Sequence, residues 1–200
     1  GVAMRTLLAV ALMLGLAPRP AFAHPAPRSH ALFARFDTLA ARGVPDSVGR
    51  WVTGAELGAS ADTTARAVAA ALRARQFLTT ARYASCAAQA NAAIAHAQAT
   101  RDTLLECRAL YTLGMAHALA GDTGPAGTHA RLLLARSRAA RLQRDQGYAR
   151  LTLAYLDVLA ERFAPAERGY RAALRALSPR LDAVPHRIAR VGLARALFGL

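Results

Sequence analysis

The six histidines and two cysteines of this 200-residue chain are its best candidates for metal or redox chemistry. His24 raises the sharpest possibility. If a leader is removed after Ala23, His24 becomes N-terminal, and its amine and ring nitrogen form a copper chelate that needs a second histidine; His30 is near. Copper enzymes of that design stand on β-sandwiches, and no segment here alternates apolar and polar residues as a strand would. His96, His117, His129 and His186 show no ligand spacing on one helix face, and His117 is expected to fill a core position. No paired carboxylates, Ser/His/Asp neighbourhood or Gly-rich phosphate loop is present. The expectation is no enzyme, no metal and no cofactor.

Cys86 and Cys107 could close a loop of about 20 residues worth about 3 kcal/mol. With a helix turn centred near Thr100, however, they are offset along the helix axes by roughly 10 Å, and a disulfide needs Cα atoms within about 7 Å. Two small buried helix residues are the expected outcome.

The first residues bear on the compartment. After Met4 come Arg5, an apolar run from Leu7 to Ala17, and Ala21-Phe22-Ala23. This is the layout of a secretory signal peptide with an A-x-A cleavage site, and the run is too short to span a membrane, which takes about 20 residues. Residues 1–23 are expected to be removed and the protein to be exported, periplasmic or extracellular, without stable membrane insertion.

The remaining chain reads as helix. Apolar residues make up 54% of the sequence, with alanine prominent among them, and alanine is the best helix former. A helix is expected from about Ala31 to Gly43. A short element follows Asp46 or Ser47, and another helix is capped by Ser60 or Asp62. Residues 24–61 are then a leader with capping helices, and 62–200 a set of helical repeats expected to continue past residue 200. The formal charge is +14, and all 26 basic residues are arginine. They are scattered through the helices, as GC-rich coding produces, and an exported chain seldom meets nucleic acid.

A repeat organises the second region. Shifting the chain by 40 residues aligns Ala109 with Ala149, Leu113 with Leu153, Leu119 with Leu159, Pro125 with Pro165 and Ala126 with Ala166; a second shift brings in Ala189, Leu193 and Ala194. Each proline fits the first turn of a second helix, where its missing N–H costs nothing. Helix, turn, helix is therefore the unit, and one hairpin cannot bury its own apolar face, so copies must stack.

Leu110, Leu113-Gly114, His117, Gly121-Asp122 and Ala126 resemble the tetratricopeptide repeat (TPR). The next copy keeps Leu153-Ala154, Ala166, Tyr170 and Ala173 but has Asp157 in the aromatic place and Glu161 in the turn-glycine place. Residues 62–100 resemble a degenerate earlier copy with its turn near Ala81. The resemblance implies an all-α, right-handed α-solenoid of stacked antiparallel hairpins, TPR-like but with a period near 40. It further implies a concave groove that binds a protein or peptide. On the face opposite the Leu110–Gly114 stripe, the groove residues would be Arg108, Tyr111, Met115, Tyr148, Leu151, Tyr155 and Arg195. The competing expectation for each is packing of first helix on first helix. The alternative function is an arginine-rich module holding an anionic envelope polymer or surface.

Overall fold

The computed structural model describes residues 28–41, 50–54 and 60–199. Eight helices run through them: α1 Arg28–Ala41, α2 Thr63–Thr79, α3 Tyr83–Thr100, α4 Thr103–Ala120, α5 Thr123–Ala139, α6 Gln143–Leu159, α7 Phe163–Ala176 and α8 Ala183–Phe198. Residues 50–53 add a helical turn, and no strand occurs among the described residues. The protein is all-α. The proposed signal peptide, His24 and the Asp46/Ser47 cap lie outside the described residues.

The turns show how the sequence sets this pattern. Ala81, Arg101, Gly121, Arg141 and Glu161 all have positive φ, between 56° and 91°, and they stand 20 residues apart. At each, the next residue's N–H reaches back to the carbonyl five residues earlier. The five bonds run from Arg82 to Phe77, Asp102 to Ala97, Asp122 to His117, Leu142 to Ser137 and Arg162 to Asp157, at 2.8–2.9 Å. This closure satisfies carbonyls that a helix end leaves orphaned. Gly121 takes the left-handed conformation freely, as its place in the repeat implies. The other four turns do so with side chains that make it costlier, by about 1 kcal/mol each. Glu161, read from sequence as a departure from the turn pattern, occupies the turn position all the same.

Helix starts follow the same spacing. Asp62 accepts from the N–H groups of Thr64 and Ala65, at 2.7 and 3.3 Å, and Asp102 accepts from Leu105 at 3.1 Å. Pro125 and Pro165 fall in the first turns of α5 and α7.

Each helix packs on the next, and the first helices of successive hairpins, α2, α4, α6 and α8, also pack in series. The second helices α3, α5 and α7 do not approach one another closely. Small residues carry these contacts. Ala109, Ala149 and Ala189, one per copy, are fully buried, as are Ala126 and Ala166. A Cβ on Gly169 would lie 2.8 Å from that of Ala154, so α6 and α7 meet where both residues are small. Ala194, the counterpart of Ala154 one copy on, is exposed, and no described helix follows α8.

Cys86 and Cys107 are free and buried. They sit in different core clusters, Cys86 beside Ala74, Ala90 and Leu113, and Cys107 beside Leu110 and Tyr148. Burial pushes their thiols up to about 11 and about 12, so both are protonated and poor nucleophiles at neutral pH.

Candidate functional site

The first helices present a common face, and α1 lies across part of it, packed on α2 and α4. The lining is built from matched positions: Ala71, Leu72 and Arg75 on α2, Arg108, Tyr111 and Thr112 on α4, and Tyr148 on α6. Phe33 and Phe36 of α1 complete it, leaving a cavity of about 10 Å³, no more than one water molecule.

Stacked rings form the floor. Tyr111 and Tyr148 lie 4.4 Å apart between centroids, inclined by 19°. Arg108 spans the floor and the helix above it, with its guanidinium 5.2 Å from the Tyr148 ring and 5.7 Å from the Phe33 ring. Its Nη1 donates to the Tyr148 hydroxyl at 3.2 Å. Its Nε pairs with Asp145 at 2.9 Å, with the N–H aimed off the oxygen, so charge attraction holds that pair rather than a formed hydrogen bond. Arg75 stands 5.6 Å from the Phe36 ring. Arginine over an aromatic face is favourable, and more so when water is excluded.

A carboxylate receptor stands at the edge of this floor. Arg144 donates to both oxygens of Asp37 on α1, a two-pronged geometry that suits guanidinium and carboxylate. Its Nε donates to Asp182 at 2.7 Å and its Nη2 to the Leu181 carbonyl at 3.2 Å. The Tyr148 hydroxyl donates to Asp182 as well, and Asp182 accepts from the Ser178 N–H at 3.0 Å. Burial works against the charge on Arg144, but hydrogen bonds to Asp37 and Asp182 and the surrounding charges more than reverse this and raise its pKa. Burial likewise works against the Asp182 carboxylate, and the bonds from Arg144 and Tyr148 bring its pKa below the ordinary value. Asp145 goes the other way: burial raises it, and Arg108 and Arg144 only partly compensate.

Farther along, the same face is open. Tyr155 and Val158 of α6, Tyr170 of α7, and Arg187, Ile188, Val191, Gly192 and Arg195 of α8 line a cavity of about 270 Å³. Stepping back by 40, 80 or 120 residues places Ile188 over Tyr148 and Arg108, Val191 over Tyr111 and Ala71, and Gly192 over Thr112 and Leu72. Arg195 falls 120 residues from Arg75. The open cavity and the floor under α1 thus use equivalent positions of successive copies.

The residues expected to line one open groove divide accordingly. Tyr111, Met115, Tyr148 and Leu151 are buried, at 5% exposure or less. Their expected place on an open surface is corrected: Met115 and Leu151 are packed into the core, and the tyrosines are roofed by α1. Arg108 is also largely buried there. Tyr155 is half-buried and Arg195 exposed, and these two do face open space. Sequence reasoning missed the roof, namely Phe33, Phe36 and Asp37, and the receptor Arg144 with Asp182. The Asp37–Arg144 pair spans 107 residues. The available signal was two aromatic residues three apart with a carboxylate following, all on one helix.

His117 is half-buried and stacks on His129 with 5.5 Å between centroids, at the edge of the core rather than inside it. No group of three His, Cys, Asp or Glu side chains among the described residues could hold a metal ion, and no described helix is long and apolar enough to cross a membrane. No protein-family model, curated protein or solved structure matches the chain.

Proposed function

We propose that the protein is an exported, TPR-like scaffold, a right-handed α-solenoid whose first-helix face binds helical segments of a protein partner. One observation carries this reading: a helix already lies on that face, with two aromatic rings against arginines and tyrosines and a carboxylate on a prepared arginine. Helices that dock in grooves anchor through residues spaced by three and four, as Phe33, Phe36 and Asp37 are. The 40-residue hairpin period and the serial packing of the first helices support the array architecture. The signal-like N-terminus supports export.

The test is selection of helical peptides from a random library on the full chain. Binders should carry apolar anchors three and four residues apart. Val191→Asp in the open cavity should weaken them at least tenfold, and Leu132→Asp on α5 should not. Binders lost equally with both changes, or none at all, would end the proposal. Binding that collapses on adding salt would favour the polyanion alternative instead.

A further inference from the structure

Resting on that reading, we propose that α1 is a built-in, exchangeable occupant of the groove. The partner that replaces it is a helix bearing aromatic residues at i and i+3 and a carboxylate at i+4.

Three features separate α1 from the rest of the molecule. It lies outside the 20-residue ladder of turns that runs from Ala81 to Glu161. Among the described residues it packs on α2, α4 and the helical turn at 50–53, where Arg35 lies over the Trp51 ring, supplemented by the Asp37–Arg144 pair and by an ion pair from Arg28 to Asp62. Among its described side chains only Ser29 and Phe33 are fully buried, whereas most of α4 is. An element with few buried contacts belongs to the low-stability end of a fold.

The groove is prepared without α1. Asp182, the Leu181 carbonyl and Tyr148 fix Arg144 from beneath, and none of these belongs to α1. Asp182 itself is held by the Ser178 N–H. The guanidinium fork therefore stays aimed at the groove when Asp37 leaves. Arg144 is mostly shielded from water, with 19% side-chain exposure, so losing the carboxylate uncompensated is costly. An occupant lacking an acidic group at that position leaves this cost unmet, which makes Arg144 the specificity determinant. Arg108 and Arg75 favour rings over aliphatic anchors at the other two positions, because only a ring offers a π face to a guanidinium.

Tethering makes α1 a strong competitor despite its few contacts. A segment of the same chain competes at an effective concentration on the order of millimolar, and an external helix must exceed that. The open cavity at α6–α8 gives such a helix an initial foothold beside the occupied stretch.

The experiment uses the full chain and a fluorescent peptide of residues 28–41 as probe. Phe33→Ala/Phe36→Ala in the chain should loosen α1, and the probe should bind this variant at least tenfold more tightly than wild type. A probe carrying Asp37→Lys should lose that gain. If the double variant loses its helical CD signal, Asp37→Ala in the chain replaces it, since both rings then remain. In the unmodified chain, saturating unlabelled probe should speed hydrogen exchange of the 28–41 backbone and leave α2 to α8 protected. Equal probe affinity for wild type and variants would make α1 a fixed cap and overturn this inference while the groove reading stands. Exchange at 28–41 that probe leaves unchanged would overturn it too. A probe that binds none of the folded chains would remove both.

Discussion

The covered and open stretches of the first-helix face are made from equivalent positions, yet they differ in what surrounds them. Under α1, the floor is Tyr111, Tyr148 and Arg108, and the arginine has both a ring above it and a carboxylate beside it. At α6–α8, the positions of Arg108 and Tyr111 hold Ile188 and Val191 two copies on, and Val191 is 66% exposed. Both linings carry two tyrosines and two arginines, but under α1 these are stacked and paired, whereas at α6–α8 they line open space. The difference teaches that the face is not one uniform surface. Its first half is closed over by α1 with its arginines and tyrosines engaged, while its second half presents the same residue types to open space.

The largest effect expected from breaking this contrast is on folding. Tyr148→Ala removes a fully buried ring that α4, α6 and Arg108 all touch, and should cost about 4 kcal/mol of unfolding free energy. Val191→Ala in the open stretch, at the position that Tyr111 holds two copies earlier, should leave the denaturation midpoint nearly unmoved. Similar losses from the two would erase the distinction between covered and open halves.

Next comes the charge network. Asp182→Ala leaves Arg144 and Tyr148 without a shared acceptor and should cost about 3 kcal/mol. A loss near that of an ordinary surface change would mean that Arg144 is held from above by Asp37 rather than from below.

The network also carries a pH signature. The folded pKa of Asp182 is lowered, so its contribution is complete above the ordinary carboxylate value near 3.8 and disappears as pH falls through the lowered one. Asp145, raised by burial, acts in the opposite sense and grows less costly on acidification. Acid titration of wild type should therefore show a steeper loss of stability below pH ~4 than titration of Asp182→Ala. Parallel curves would remove Asp182 from the acid limb.

The smallest effects concern the turns beneath both halves. Arg141→Gly relieves a left-handed side chain and should stabilise by about 0.5–1 kcal/mol, while Gly121→Val should cost about 1 kcal/mol or more. Thermal melts of the two variants should move in opposite directions.

These comparisons show what could be read in advance. The hairpins and several of their turns were legible, because Pro125, Pro165 and Gly121 mark local events that depend on neighbours in sequence. The face was legible as a stripe of Arg108, Tyr111, Tyr148 and Tyr155. Its burial was not. Apolar residues on two sides of a helix reveal that both sides meet something, but a neighbouring helix and a roof leave the same pattern. The roof here comes from residues 28–41, far off in the chain, and the Asp37–Arg144 pair has no local trace. Turns near Ala81 and Thr100 and at Glu161 were legible too, but the left-handed conformation of the four non-glycine turn residues was not, because residue type was weighed above spacing, although Gly121 fixes their positions by steps of 20.

That spacing has a further meaning. Within a helix, a one-residue insertion rotates everything beyond it by about 100° and would exchange groove for core. A whole 40-residue hairpin, added or removed, leaves every later side chain with the type of neighbour it had. Length is therefore the one property this architecture can change without redesigning its contacts, and the face formed by the first helices grows or shrinks by whole hairpins.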